Sequence, residues 1–393
     1  MIYLVEGSRT AFGSFGGMFA EVTDVDLGVA TVKETLKRAN IPAEQVDEII
    51  FGNIIQTTKN AAYLARHIGL KSGMSHDSTA LTVNRLCGSG LQAIVSGAQS
   101  ILLGDSKVVL AGGTENMSQA PHVLRGTRFG SPNKAPIVDD MLWSTLTDEY
   151  IGCGMGITAE NLAEQYSISR EEQDAFAVKS HQKAARAIAS GRFEKEIVPI
   201  IKTDRKGTEY SLKTDEHVRP TLDPEKIATL APSFKKDGTV TAANASGIND
   251  GAAAVLLMSD EAISEYNIKP LCKIVAWAVA GVDPNIMGIG PVPAIRKLLK
   301  KANLSLQDID LFELNEAFAA QSLAVLKELE LDEEKVNVNG GAVALGHPVG
   351  ASGARIAYSL ALELNERSLR YGIASLCIGG GQGIAVLLEN CHV

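Results

Sequence analysis

The chain has 393 residues and a formal net charge of −9, and 45% of its residues are hydrophobic while 21% are charged. This is the composition of a globular protein and argues against a disordered one. The negative charge and the lack of a long Lys/Arg run argue against a nucleic-acid partner, because binding to phosphates needs a basic surface.

Cysteine usage predicts a protein without disulfides or a zinc site. The cysteines are odd in number and form no C-x-x-C pair, which favours neither a disulfide framework nor a metal centre. Free thiols suit a reducing compartment, so we expect a cytoplasmic protein. The N-terminus lacks the basic segment of a signal peptide. We expect no apolar run to be long enough to span a membrane, so no membrane partner is expected. The cysteines are Cys87, Cys153, Cys272, Cys377 and Cys391.

An internal repeat is the strongest sign of domain organisation. Residues 36–46 (LKRANIPAEQV) align without gaps with residues 299–309 (LKKANLSLQDI). In each copy a basic amphipathic helix is predicted to end at an asparagine, Asn40 or Asn303, and an apolar stretch typical of a buried strand follows. The repeat therefore predicts an α/β protein with two similar halves, each a sheet layered with helices.

A cysteine stands at the start of a predicted helix in the first half. Cys87 is followed by the sequence GSG and then by apolar residues spaced three and four apart. The unpaired N–H groups and the dipole of a helix N-terminus lower the pKa of a thiol, so Cys87 is a candidate nucleophile. The alternative is a buried structural cysteine. The apolar positions of this predicted helix are Leu91, Ile94, Val95, Ala98, Ile101 and Leu102.

A long region between the halves has no counterpart in the repeat. It contains a Gly/Pro-rich loop at residues 117–140 and a helix that Ser169 and Glu172 cap and that ends at Gly191. Such an insertion is expected to cover a site, the alternative being a surface decoration without a ligand. The predicted units are residues 1–115 with 247–268, the inserted residues 116–246, and residues 269–393.

Three residues of the second half follow predicted strands or precede predicted helices, as Cys87 does in the first half. Asn315 opens an apolar helical run, where capping is its ordinary role, although it could also hold a water or a carbonyl oxygen. Pro348 keeps His347 in an extended conformation outside the helix, so that the imidazole can face a pocket, while a structural histidine is the alternative. Cys377 precedes glycines whose N–H groups can approach a ligand. Because a strand follows these glycines, they do not fit a dinucleotide site.

Six short motifs, in one order along nearly the whole chain, resemble the thiolase family. The resemblance implies a duplicated fold layered as α/β/α/β/α, with an inserted loop domain. It also implies an acyltransferase that acts on coenzyme A (CoA) thioesters without a further cofactor, and a homotetramer built as a dimer of dimers. The motifs are VNRLCGSG from Val83, AGGTENMS from Ala111, GINDGA from Gly247, NEAF from Asn315, GHPVG from Gly346 and CIGGG from Cys377.

The resemblance also implies a role for each catalytic residue. Cys87 would take the acyl group from a CoA thioester, and His347 would be the base that activates it. Cys377 would protonate the leaving CoA and remove the α-proton of the second substrate. One oxyanion hole would use His347 and a water held by Asn315. The other would use the backbone N–H groups of Cys87 and Gly379.

The implied contacts to CoA come mainly from the insertion and from the start of the second half. The family often has histidine where this chain has Gly154, which leaves the contact at that position open. Arg219 is the natural partner for a phosphate or for adenine. The implied contact residues are Leu146, Met155, Arg219, Phe234, Ala242, Ser246, Met287 and Phe318.

The expected reaction is acetyl-CoA C-acetyltransferase activity, the reversible condensation of two acetyl-CoA molecules into acetoacetyl-CoA and CoA. The alternative is the cleavage of longer 3-ketoacyl-CoA in fatty-acid β-oxidation. Met155 and Met287 would shorten the acyl pocket and so favour the first reaction. The NEAF motif argues against a β-ketoacyl synthase, and the presence of both candidate cysteines and of His347 argues against an inactive CoA- or lipid-binding relative.

Overall fold

Strands and helices alternate along most of the chain. The computed structural model describes residues 1–130, 134–204 and 206–393. Within these ranges the strands are β1 Ile2–Arg9, β2 Gly13–Ser14, β3 Glu48–Gly52, β4 Thr79–Val83, β5 Val108–Asn116, β6 His122–Arg125, β7 Ile137–Asp140, β8 Thr147–Asp148, β9 Cys153–Gly154, β10 Ile200–Thr203, β11 Glu209–Leu212, β12 Asn249–Ser259, β13 Cys272–Gly281, β14 Leu311–Leu314, β15 Tyr371–Ile378 and β16 Gln382–Asn390. The helices are α1 Asp24–Ala39, α2 Leu64–Lys71, α3 Ser89–Leu103, α4 Met141–Thr145, α5 Met155–Gln165, α6 Arg170–Ala189, α7 Pro224–Ala228, α8 Asp260–Glu265, α9 Pro291–Ala302, α10 Ala319–Leu329, α11 Ala342–Leu345 and α12 Val349–Glu366.

The main sheet contains both halves of the repeat. Its strand order is β14-β15-β16-β13-β1-β12-β5-β3-β4, and the short β2 pairs with β12. The parallel pairs are β3 with β4, β3 with β5, and β14 with β15. The expectation of two separate sheets needs correction, because β1 and β13 pair through Tyr3 with Lys273 and Leu4 with Cys272. Each half thereby covers what would otherwise be an open sheet edge of the other.

Helices cover the sheet in layers. Helices α3 and α12 pack against each other, α3 against β3, β5 and β16, and α12 against β5, β12 and β15, so this pair lies between the strands of the two halves. Helix α1 packs on β1 and β12, and helix α9 packs on β13 and β16. Fifteen of the 18 residues of α12 are buried, as expected for a helix with protein on all sides. The α/β/α/β/α layering expected from the sequence is confirmed.

The two central helices cross backbone to backbone near their N-termini. A Cβ atom at Gly353 would lie 2.2 Å from the backbone nitrogen of Leu91, and one at Gly90 would lie 2.7 Å from that of Ala354. Only glycine permits so close an approach. The crossing brings the start of α3, which follows Cys87, next to the start of α12, which follows His347.

We expect the substitution Gly353→Ala to destabilise the protein. The added methyl group meets backbone atoms, which cannot rotate away, and overpacking of this kind costs about 1–3 kcal/mol. The matched control is Gly154→Ala, because a Cβ there would contact only the carbonyl oxygen of Leu146, at 3.6 Å. The thermal unfolding midpoint should fall for Gly353→Ala and stay near the wild-type value for the control. Equal midpoints for the two variants would contradict this account of the crossing.

The insertion is fastened to the first half by a buried ion pair. The guanidinium of Arg9 donates to both carboxylate oxygens of Asp215, at 2.7 and 2.9 Å, and the N–H of Phe12 donates to the same carboxylate at 2.8 Å. The predicted capping box of Ser169 is present at the start of α6. Gly191 follows the end of this helix in the left-handed conformation, as predicted. Residues 131–133 of the predicted Gly/Pro-rich loop lie outside the described residues.

Other sequence-based predictions meet mixed outcomes. Asn40 and Asn303 end α1 and α9 in the left-handed conformation, with φ of 54° and 55°, as predicted. Leu102, however, is 62% exposed, so it does not belong to the buried apolar face that the sequence predicts for α3. The expectation about membrane-spanning length is also wrong. By length and composition Leu86–Leu103 could cross a membrane, although 56% of this segment is buried inside the fold.

Candidate active site

One cavity, with a volume of about 490 Å³, collects residues from both halves and from the insertion. Cys87 and His347 line it from the two halves, and Gly379 completes the wall between them. Every CoA contact implied by the sequence lines the same cavity: Leu146, Met155, Arg219, Phe234, Ala242, Ser246, Met287 and Phe318. Further lining residues that the sequence reasoning missed include Leu86, Met117, Trp143, His217 and Ile248.

Cys87 lies in a tight turn, two residues before α3 begins, and is partly exposed in the cavity. Burial raises the pKa of its thiol to about 11, and the charge of Glu115 acts in the same direction. The backbone N–H groups of Gly379 and of Cys87 itself face the sulfur and lower this pKa, but less than burial raises it. The expectation of a lowered thiol pKa at the helix start is therefore not met, and the thiol form predominates at neutral pH.

Hydrogen bonds hold the His347 ring in one orientation. The ring nitrogen Nδ1 lies 2.6 Å from Oγ of Ser352, and this hydroxyl donates its only hydrogen to the carbonyl oxygen of Pro348, at 2.9 Å. By this assignment Nδ1 carries a proton and donates it to Ser352, which leaves the lone pair on Nε2. The amide nitrogen of Asn315 faces Nε2 at 3.4 Å. Nε2 of His347 is thus an unprotonated base nitrogen, which accepts a long hydrogen bond from the amide of Asn315.

His347 is neutral at physiological pH in this environment. Burial lowers its pKa to about 4, and the positive charge of Arg355 contributes. The backbone N–H of His347 donates to Oδ1 of Asn249 at 3.0 Å, which fixes the loop before α12. A neutral imidazole is the form that can accept a proton from a thiol, so the arrangement suits a general base.

Asn315 does not cap a helix, contrary to its ordinary role. It follows β14 and is 1% exposed, and α10 begins four residues later, at Ala319. Its backbone N–H donates to the carbonyl oxygen of Ser375 at 3.0 Å. Its Oδ1 atom is buried and has no hydrogen-bond partner among the described residues. The side chain is therefore available to hold a water beside His347, as the resemblance implies.

Cys377 is fully buried at the end of β15 and does not line the cavity, unlike Gly379 two residues later. Burial raises the pKa of its thiol strongly, and negative charge on Cys87 raises it further. Gly380 and Gly381 turn the chain with positive φ into β16. The prediction that a strand and not a helix follows the glycine run is confirmed.

Glu115 was missed by the sequence reasoning, although it lies in the quoted motif AGGTENMS. Its buried carboxylate accepts N–H groups of Ile54 and Ile55, at 3.2 and 2.9 Å, and of Gly350 in α12, at 3.0 Å. Burial raises the pKa of Glu115 to about 8, although these hydrogen bonds act to lower it. An acidic residue at the end of the apolar run VVLAGG was the available signal. The carboxylate links the first half to the helix that follows His347.

The electrostatics of the site predict how the reactivity of Cys87 depends on pH. A thiol with a pKa of about 11 reacts only through its small thiolate fraction, so alkylation should accelerate about tenfold per pH unit between pH 7 and 10. Because the pKa of His347 is about 4, no step is expected near pH 6.5. The measurement is the rate of iodoacetamide alkylation, with peptide mass mapping to follow Cys87 alone. A plateau above pH 6 would instead indicate a thiolate–imidazolium pair.

Comparisons with known proteins converge on one family. A family model described as Thiolase, N-terminal domain matches residues 2–261, and one described as Thiolase, C-terminal domain matches residues 268–390. Human mitochondrial 3-ketoacyl-CoA thiolase is 50% identical over 390 residues, which cover 99% of this chain and 98% of that protein. A protein of Syntrophomonas wolfei named acetyl-CoA acetyltransferase is 51% identical over 393 residues, with coverage of 99% and 98%. The crystal structure of human mitochondrial 3-ketoacyl-CoA thiolase in complex with CoA matches with a TM-score of 0.96 at 49% identity, covering 99% of this chain and 98% of that one.

Proposed function

This chain belongs to the thiolase family and is an acyltransferase, and on that premise we propose that it condenses two acetyl-CoA molecules reversibly into acetoacetyl-CoA and CoA. The observation that carries the proposal is the cavity that Cys87 and His347 both line, together with the buried Cys377, whose pKa responds to the charge of Cys87. The human relative crystallised with CoA supports a CoA thioester as the occupant of this cavity.

In the first step Cys87 takes the acetyl group. Its sulfur bonds to the carbonyl carbon of acetyl-CoA while its proton passes to Nε2 of His347, the ring nitrogen that is unprotonated because Nδ1 donates to Ser352. The carbon–sulfur bond to CoA then breaks, and Cys377 gives its proton to the CoA thiolate. The N–H groups of Gly379 and Cys87, which face the sulfur, suit the carbonyl oxygen as it becomes negative.

In the second step the acetyl group moves to carbon. The Cys377 thiolate removes the α-proton of a second acetyl-CoA, and a water held by Asn315 together with protonated His347 stabilises the enolate oxygen. The enolate carbon bonds to the acetyl carbonyl carbon, the sulfur of Cys87 leaves, and His347 returns its proton to it. Both thiols and the imidazole end in their starting forms, as a catalytic cycle requires.

Two methionines support a short acyl group. The sulfur of Met155 lies 3.4 Å from where a Cβ of Gly379 would be, close to the reacting carbonyl. Met287 is 2% exposed and lines the same cavity. Both methionines line the cavity that contains Cys87, and bulky side chains there would shorten the space for an acyl chain.

A second candidate function is the cleavage of longer 3-ketoacyl-CoA substrates. Gly154 lines the cavity, and the only atom near its Cβ position is the carbonyl oxygen of Leu146, at 3.6 Å. This open space favours a longer acyl chain, and the human relative bears the corresponding name.

Thiolysis rates decide between these two candidates. We expect kcat/KM for acetoacetyl-CoA to exceed that for 3-ketooctanoyl-CoA by at least about tenfold, since even one methylene that does not fit a pocket costs roughly 1–3 kcal/mol. The variant Met155→Ala should raise the rate for the longer substrate, whereas Gly154→Leu should lower it. A higher rate for 3-ketooctanoyl-CoA in the wild type would favour the second candidate.

We also propose a cytoplasmic homotetramer that needs no cofactor beyond its CoA substrates. In the described residues β4 pairs only with β3, and its Leu81 is 46% exposed, which leaves an edge suited to a partner strand. Leu124 and Phe129 of the insertion, at 59% and 96% exposed, provide a second apolar surface. Sedimentation that finds only a monomer at micromolar concentration would contradict the tetramer.

A further inference from the structure

Leu86, the residue before Cys87, has an unusual backbone conformation. Its φ is +46°, in the left-handed region that a bulky side chain disfavours. Among the non-glycine residues with positive φ in the described ranges, Leu86 is the only apolar one. Backbone strain of this kind persists only where the surroundings hold it, and it is concentrated at functional sites.

Hydrogen bonds on both sides of Leu86 hold this conformation. The backbone N–H of Leu86 donates to Oδ1 of Asn84 at 3.0 Å. The hydroxyl of Ser89 accepts the N–H of Arg85 and donates to the carbonyl oxygen of Leu86, both at 2.7 Å. Hydrogen bonds therefore fix the backbone of this turn, which holds Cys87, on both sides of Leu86.

The side chain of Leu86 contacts the opposite wall of the site. Its Cδ1 atom lies 3.3 Å from where a Cβ of Gly379 would be, and the side chain lines the cavity. The N–H groups of Cys87 and Gly379 both face the Cys87 sulfur. Leu86 thus precedes one of these donors in the chain and packs against the residue that carries the other.

We infer that Leu86 is a positioning residue for acyl transfer. Its left-handed backbone and its packing against Gly379 hold the N–H groups of Cys87 and Gly379 at the spacing that a developing oxyanion needs. The inference rests on the proposed function, in which the carbonyl carbon bonds to Cys87. The inference adds Leu86 to the mechanism as a residue that transfers no proton and does not act on the leaving CoA.

A matched pair of substitutions separates backbone strain from packing. Isoleucine has the size of leucine but branches at Cβ, which makes a positive φ much harder to adopt, whereas methionine is unbranched at Cβ and similar in volume. We expect Leu86→Ile to slow single-turnover acetylation of Cys87 by acetyl-CoA about tenfold or more, a part of the effect of losing an oxyanion donor. KM should stay within about twofold, because Leu86 is not among the CoA contacts, and Leu86→Met should acetylate clearly faster than Leu86→Ile, because an unbranched Cβ tolerates the positive φ better.

The substitution Leu86→Gly tests the same inference if Leu86→Ile folds poorly. Glycine adopts a positive φ without strain but leaves Gly379 without its packing partner. We expect slower acetylation even though the thermal unfolding midpoint stays close to that of the wild type. Acetylation by Leu86→Ile at the rate of Leu86→Met, or by Leu86→Gly at the wild-type rate, would overturn the inference. The proposed function fails separately, if Cys87 does not become acetylated in the wild type.

Discussion

Replacing Cys87 by alanine is expected to abolish acetyl transfer and to leave the fold intact. The sulfur is the only atom that can form the acyl-enzyme bond, and loss of a nucleophile typically lowers kcat by more than about 10⁴-fold. The thiol packs against a small apolar cluster but also lines the cavity, and only its single sulfur atom is removed, so the substitution leaves no large void in the core. The unfolding midpoint should therefore stay near the wild-type value while activity disappears.

Covalent labelling provides the measurement for this variant. Radiolabelled acetyl-CoA should label the wild type on Cys87 and leave the Cys87→Ala enzyme unlabelled. The matched control is Cys153→Ala, because this second partly exposed cysteine lies close to the cavity but has no expected role. It should label normally. Label recovered on Cys153 or Cys391 would show that the nucleophile has been assigned to the wrong residue.

Local sequence patterns predict the repeated elements of this fold well. Asn40 and Asn303 end their helices in the predicted conformation because a left-handed asparagine is a property of a few neighbouring residues. The pairing that joins the two halves, in contrast, cannot be predicted from local sequence. The pairing of β1 with β13 involves residues about 270 positions apart, such as Leu4 with Cys272, and no local pattern encodes such a contact.

The same division applies to the candidate site. Motifs and their order point to Cys87, His347 and Asn315, but their environments depend on tertiary structure. Burial outweighs the helix start in setting the pKa of Cys87, and Asn315 lies too far before α10 to cap it. Leu86 lies in the motif VNRLCGSG, but its residue type does not indicate its conformation, because only the folded turn gives this leucine a positive φ.

His347 and Cys377 are expected to move different protons, and their variants should fail in different ways. His347 lines the cavity and has an unprotonated Nε2, so His347→Ala should slow the first acetylation, by about 10²- to 10⁴-fold for the loss of a general base. Cys377→Ala should still accumulate acetyl-enzyme, because CoA can leave as a thiolate without the proton of Cys377, whereas no other group in the proposed mechanism removes the α-proton of the second substrate. It should then fail to condense. Cys377→Ser replaces the thiol by a hydroxyl of similar size. This variant should also fail to condense, because a hydroxyl is a far weaker acid than a thiol.

A single-turnover experiment with radiolabelled acetyl-CoA separates the two roles, because protein-bound label and acetoacetyl-CoA are scored independently. Protein-bound label without product is the expected result for Cys377→Ala, and neither signal on the same time scale is expected for His347→Ala. His347 is buried and hydrogen-bonded to Ser352, so its replacement could also destabilise the fold. The thermal unfolding midpoint of each variant is therefore measured together with its rates. His347→Asn serves as a second variant with a smaller change in packing. Condensation by Cys377→Ala within about tenfold of wild type would exclude it as the proton carrier, and label retained by His347→Ala but lost by Cys377→Ala would exchange the two assignments.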